Sequence, residues 1–256
     1  MDIKEPAHAQ LPLFEDRSPE QKIDYLHLLI EDLYSIYFHD ARRRILAILD
    51  QYNCVDEAEL KNISQIRDLV ERVPNIFCQN CEKGHITGSA LIVDLKAEAF
   101  LIHYHKKLGK WLQFGGHCGF GNSGFELNPA DVALREAEEE TGILGLAHFK
   151  DCISDGLNTA IQIDRSQERA RNSILPPVDI DIHAVSSVRG APDHLHLDFR
   201  YLLVVPGTDS VIQPGDGEST QFAWVEFRNV ESYRDRLDGS LLRLIGKAEL
   251  LIKGDR

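Results

Sequence analysis

Arg135, Glu136, Glu139 and Glu140 fall within six consecutive positions, in the run Arg135-Glu136-Ala137-Glu138-Glu139-Glu140-Thr141-Gly142-Ile143. On a helix, Glu136, Glu139 and Glu140 occupy positions i, i+3 and i+4, so their carboxylates share one face. Like charges at this spacing destabilise a helix by roughly 0.2–0.5 kcal/mol per pair. A hard divalent cation offsets that cost, because Mg²⁺ and Mn²⁺ take oxygen ligands. Cations held this way neutralise phosphate oxygens and acidify a bound water. An acidic run alone is ordinarily a solvated helix face, so the flanking residues decide between the two readings.

Upstream lies Trp111-Leu112-Gln113-Phe114-Gly115-Gly116-His117, a short strand that ends in a Gly-Gly turn. Together the two segments resemble the Nudix hydrolase superfamily, whose box is G-x5-E-x7-R-E-U-x-E-E-x-G-U, with U a bulky aliphatic. Ala137 is small for its aliphatic slot. The resemblance runs from His85 to about Ile252. It implies an α/β/α sandwich and hydrolysis of a diphosphate linkage with Mg²⁺ or Mn²⁺. By the same resemblance Glu139, Glu140 and the Gly116 carbonyl ligate metal. Glu136 ligates or accepts the proton of the attacking water, and Arg135 orients the carboxylates. The chain departs from the box in one place. Gly116 precedes Arg135 by nineteen residues where the box has fourteen, and Leu127 stands where the first box Glu belongs. Glu126, one residue away, either replaces that brace after a bulge or leaves it missing.

Other residues are weaker signals. Glu218 resembles a later acidic position that adds a metal ligand in some superfamily members. His194, His196, Asp198 and Arg200 alternate with Leu195, Leu197, Phe199 and Tyr201, which gives a strand with one polar face. Asp179, Asp181 and His183 alternate in the same way. Such a face is either solvated or lines a substrate groove, with His194, His196 or Arg200 on phosphate. Trp111 and His117 flank the Gly-Gly turn and are candidates for stacking on a base or touching phosphate, although Trp111 suits a core equally. Gly119 to Gly124 spells G-x-G-x-x-G but does not open directly into a helix, as a dinucleotide site requires. Cys78 and Cys81, with His85 nearby, make only half of a four-ligand zinc site.

The elements that must position these residues are legible from periodicity. Ser18-Pro19 marks a helix start, and further helices hold Ile45 to Leu49 and Ile63 to Val70, the last stopping at Pro74. Strands follow over His85–Asp94, Ala99–His105 and Leu112–Phe114. A helix spans about Ala130 to Thr141 and is closed by Gly142. Val178–Ser187, Leu195–Val205 and Phe222–Phe227 alternate as strands, and Leu241–Ile252 forms a closing amphipathic helix. The expected organisation is an N-terminal arm and helical module over 1–84 and a Nudix domain with a mixed β-sheet over 85–256.

The bulk composition narrows the classes. The 256 residues are 43% hydrophobic and 27% charged, with a net charge of −13. An acidic chain without clustered Lys and Arg disfavours a nucleic-acid polymer as partner, and no apolar run reaches the ~20 residues of a membrane span. Without an apolar leader, and with five unpatterned cysteines, a cytoplasmic location is expected. The expected partner is a small phosphorylated molecule, and a homodimer is left open. The expected activity is that of a Nudix-type pyrophosphohydrolase on a nucleoside diphosphate derivative or a related compound. The alternative is a non-catalytic Nudix ligand-binding sensor, which the displaced Glu126 and the longer loop favour.

Overall fold

In a computed structural model of the chain, residues 37–54, 56–106, 108–121, 124–154, 174–185, 193–207, 211–215 and 219–254 are described. The helix start expected at Ser18 lies outside them. By its contacts the chain falls into two units, Met1–Ala41 and Arg42–Arg256. The expected division was at 84/85, whereas the contacts place residues 42–84 in one unit with the sheet.

The centre of the larger unit is β1 (His85–Asp94), buried along nearly its whole length. A strand covered on both faces needs apolar residues at consecutive positions, and Ala90-Leu91-Ile92-Val93 supplies them. β1 runs parallel to β9 (His194–Val204), from His85 opposite His196 to Val93 opposite Val204. On its other side β1 pairs antiparallel with two strands in succession. Its first half meets β4 (Phe114–His117) and its last residues meet β2 (Ala99–His105). β3 (Lys110–Leu112) and β10 (Phe222–Glu226) pair with β2, while β7 (Ala147–His148) and β8 (Asp179–Val185) pair with β9. These eight strands form one mixed sheet. β5 (Gly119–Gly121) and β6 (Gly124–Glu126) form a separate two-stranded ribbon.

Helices cover both faces, giving the expected α/β/α sandwich. α1 (37–51) and α2 (Glu57–Arg72) precede the sheet. α3 (Pro129–Thr141) lies against the face that carries Gly88 and Gly116. A Cβ on Gly88 would stand 2.1 Å from the Pro129 carbonyl oxygen, so a side chain there would push the helix start off the strand. Asn128 caps α3 through the Ala130 amide, Pro129 takes the first turn, and Gly142 closes the helix in the left-handed region at φ 70°. A short helix α4 (Phe149–Ser154) follows β7. The opposite face packs on α5 (Gly239–Gly254): Leu241, Leu244, Ile245, Ala248 and Ile252 bury against Leu91, Val93, Phe100, Leu202, Val204 and Val225. Each of the larger side chains among them contributes about 1.5–3 kcal/mol. A 3-10 helix over Phe227–Arg236 joins β10 to this layer.

Candidate functional site

α3 presents its acidic face to β4, where Gly115 and Gly116, expected to form a turn, lie inside the strand opposite Ser89 and Gly88. The Glu136 carboxylate fills the hollow above Gly116, where an added Cβ would lie 2.1 Å from Glu136 Oε1. One strand position back, the Gly115 amide donates to Glu140 Oε2 at 3.1 Å. Glycine at 116 therefore has a specific cause, the carboxylate that takes its side-chain space.

Arg135 is the hub of the cluster. Its Nε donates to Glu126 Oε2 at 2.5 Å, its Nη1 to Glu139 Oε2 at 2.8 Å and its Nη2 to Glu136 Oε1 at 2.9 Å. Burial alone would lower the guanidinium pKa, but Glu126 and Glu136 outweigh it and hold the group above its ordinary value. Burial raises the Glu136 carboxyl, with Arg135 opposing. Glu139 is half-exposed at the open end of the cluster. Three carboxylates beside a glycine pair form an all-oxygen donor set, which suits Mg²⁺ or Mn²⁺ and not a soft metal.

The departure from the box now has a structural account. The additional residues between Gly116 and Arg135 fold into the β5–β6 ribbon, whose base pairs Gly119 with Glu126. The ribbon returns the chain to α3 with Glu126 against Arg135, so the brace is present although its spacing is not. The G-x-G-x-x-G run lies in this ribbon, antiparallel to itself, rather than at the opening of a helix.

The polar faces of β8 and β9 are closed around Arg200, where Asp179, Asp181 and Asp198 are buried, and more open toward His183 and His194. Arg200, expected on phosphate, is 3% exposed. Its Nε pairs with Asp198 at 3.0 Å, its Nη2 with Asp181 at 3.0 Å, its Nη1 with Asp179 at 3.4 Å and with Ser240 Oγ at 2.8 Å. Arg243, from α5, pairs with Asp179 at 2.8 Å and Asp181 at 3.0 Å. Lys247 joins Asp179 at 2.9 Å to the buried Glu59 of α2 at 2.6 Å. Glu59 also accepts from the Ile180 amide and the Tyr52 hydroxyl. Thr87 and Ser89 of β1 donate to Asp198 at 2.9 and 2.7 Å. Burial alone would raise Asp179 and Asp181, but the hydrogen bonds and cations around them hold both below the usual carboxylate range. The network ties α2, β1, β8, β9 and α5 together. Buried, and with four of its five N–H groups partnered inside the protein, Arg200 faces this network and not the open groove in which it was expected to meet phosphate.

The remaining candidates divide. His117, His194 and His196 gather at the other end of this polar face with His85 and His183, where neighbouring ring centres lie 4.8–5.4 Å apart. In the sequence His183 was visible only in the matching alternation of β8 and His85 only beside the Cys78/Cys81 pair; strand pairing is what makes them neighbours of the other three. Trp111 stands edge-on to Tyr104 and Tyr233 and packs on the core beneath α5. Glu218 lies outside the described residues. Cys78 and Cys81 are free thiols, Cys81 buried.

No family model matches the chain, and no curated protein does. Solved structures similar to it include a NUDIX-family hydrolase from Clostridium perfringens, with 22% identity over 65% of this chain and 97% of that one, at a TM-score of 0.44. A binary complex of a C. elegans Ap4A hydrolase covers 66% of this chain and 98% of its own, with 15% identity and a TM-score of 0.41. The NUDIX domain of Shewanella oneidensis NrtR, complexed with ADP ribose, covers 71% and 94%, with 12% identity and a TM-score of 0.37. Two of these three carry the family name that the box resembles. With TM-scores below one half the overlap is partial, and the chemistry is read from the side chains themselves.

Proposed function

We propose that this chain is a Nudix-type pyrophosphohydrolase that cleaves a diphosphate linkage in a nucleoside diphosphate derivative or a related compound, with Mg²⁺ or Mn²⁺. The observation that carries the reading is the Arg135 hub, which holds Glu126, Glu136 and Glu139 together while Glu136 and Glu140 face the Gly115-Gly116 pair. The helix brings the carboxylates to one strand segment, and a cation arriving there takes over from Arg135 part of its pairing with Glu136 and Glu139.

Glu136, Glu139 and Glu140, with the Gly116 carbonyl, would hold the cation. When bound, it supplies charge neutralisation on the phosphate oxygens and acidifies water. Glu136, the carboxylate raised by burial, is the ligand or the proton acceptor. Arg135 keeps the acids on one side of the helix. His117 follows Gly116 on β4, so strand alternation sends its ring to the face opposite the Glu136 carboxylate. The Arg135–Glu126 pair weighs against the non-catalytic sensor reading, which the longer loop still favours.

The test is release of phosphate-containing products from nucleoside diphosphate sugars, dinucleoside polyphosphates, ADP-ribose, NADH and nucleoside triphosphates, with each metal. Turnover of one class is expected. In Glu139→Gln it should fall by more than about 100-fold, beyond the loss typical of a group that only supports a ligand. Near-wild-type turnover in that variant would remove the proposed site. Binding without turnover by the wild-type protein would return the sensor reading.

A further inference from the structure

The histidine cluster is a second centre of different chemistry. His85 begins β1, His196 stands opposite it on β9, and His117 ends β4 opposite Thr87. Strand pairing thus brings three imidazoles from three strands to one end of the sheet. Their ring centres form a near-equilateral triangle: 5.0 Å from His85 to His117, 4.8 Å from His85 to His196 and 5.0 Å from His117 to His196. The potential ligand atoms of the three all lie within 4.8 Å of one another.

That triangle has the size an ion would impose. With metal–nitrogen bonds of about 2.0–2.1 Å, and a ring centre about 1.1 Å beyond its nitrogen, tetrahedral angles place ring centres about 5 Å apart. Only small ring rotations are then needed to converge the nitrogens.

Hydrogen bonding supplies the second observation. His85 is 1% exposed, and neither of its ring nitrogens has a partner among the described residues; the same holds for His196 Nε2. A buried histidine that serves packing alone normally satisfies at least one nitrogen, because an unmet buried polar atom costs about 1–3 kcal/mol.

We propose that His85, His117 and His196 form a nitrogen-ligand site for one borderline transition-metal ion of the Zn²⁺ class, separate from the oxygen-ligand cluster on α3. His194, whose ring centre is 5.0 Å from His85 and 5.4 Å from His196, stands at the remaining side of the site. Three imidazoles select Zn²⁺, Co²⁺ or Ni²⁺ over Mg²⁺, whereas the α3 carboxylates have the reverse preference. The proposal does not rest on the hydrolase reading.

Chelator-stripped full-length protein titrated with Co²⁺ tests it directly. One equivalent should bind with the intense visible bands of a low-coordinate nitrogen site, and Zn²⁺ should abolish those bands. Glu139→Gln should bind as the wild type does, while His196→Ala should bind at least about a hundredfold more weakly, a ligand mattering more than its supports. A wild-type protein without those bands overturns the proposal, and so does a signal lost in Glu139→Gln and kept in His196→Ala. If His196→Ala does not fold, imidazole nitrogen shifts of the wild-type protein decide: movement of His85, His117 and His196 on adding Zn²⁺ supports the site, and unmoved resonances refute it.

Discussion

Two polar patches lie on the same strands, a few residues apart, and they are built oppositely. Around Arg200, Asp179, Asp181, Asp198, Arg243 and Lys247 pair with opposite charge contributed by strands and by α5. Around His85, ring nitrogens of His85 and His196 have no hydrogen-bond partner among the described residues. The first patch holds elements together, and the second leaves polar atoms unmet. At their deepest residues burial does not separate them, since Asp179 is 0% and His85 1% exposed; satisfaction does.

The contrast is broken most forcefully at Arg200. Arg200→Leu leaves three buried aspartates short of a counter-ion and should cost about 3–5 kcal/mol in chemical denaturation. A loss under about 1 kcal/mol would mean that the network is not structural.

Acidification in the presence of a chelator should separate the patches by pH. The histidines are depressed from an ordinary 6.5, His85 to about 3 and His103, near His105, to about 4. Below pH 6.5 the unfolded chain therefore binds protons that the folded chain refuses. Stability should fall from there at about 1.4 kcal/mol per pH unit for each such proton. Asp179 and Asp181 are depressed from 3.8, so their contribution persists through that window and fades only as pH drops below it. A stability profile flat from pH 6.5 to 4.5 would contradict the buried neutral histidines.

Smaller effects sharpen the comparison. Ser89→Ala removes one of the hydroxyl donors to Asp198 and should cost about 1–2 kcal/mol by thermal or urea unfolding. His85→Leu removes two unmet nitrogens at similar volume, so in metal-free protein it should change stability by less than about 1 kcal/mol in either direction. A loss as large as that of Arg200→Leu would show that His85 has a partner of its own.

The sequence displayed the machinery of α3 almost completely, because its signals are local. The i, i+3, i+4 acids and the closing Gly142 all act within one helix, and periodicity located most strands. The polar faces of β8 and β9 were visible as alternation, but alternation cannot say whether a polar face meets water or opposite charge. Here the answer lay in Arg243 and Lys247, more than sixty residues beyond Asp179 and on another element. The histidine cluster escaped for the same reason: His85, His117 and His196 are far apart in the chain and meet only through strand register. The fate of Glu126 depended on pairing within an inserted ribbon, which counting positions could not supply.

That ribbon gives the brace an unusual tolerance. With Gly119 and Glu126 paired at its base, one residue added to each arm lengthens the ribbon and leaves the base untouched. A single residue added to one arm has no opposite number, so the turn or a bulge must take it up if the base is to keep its register. Paired additions are therefore absorbed by the ribbon itself, and unpaired ones test whether Arg135 keeps its partner.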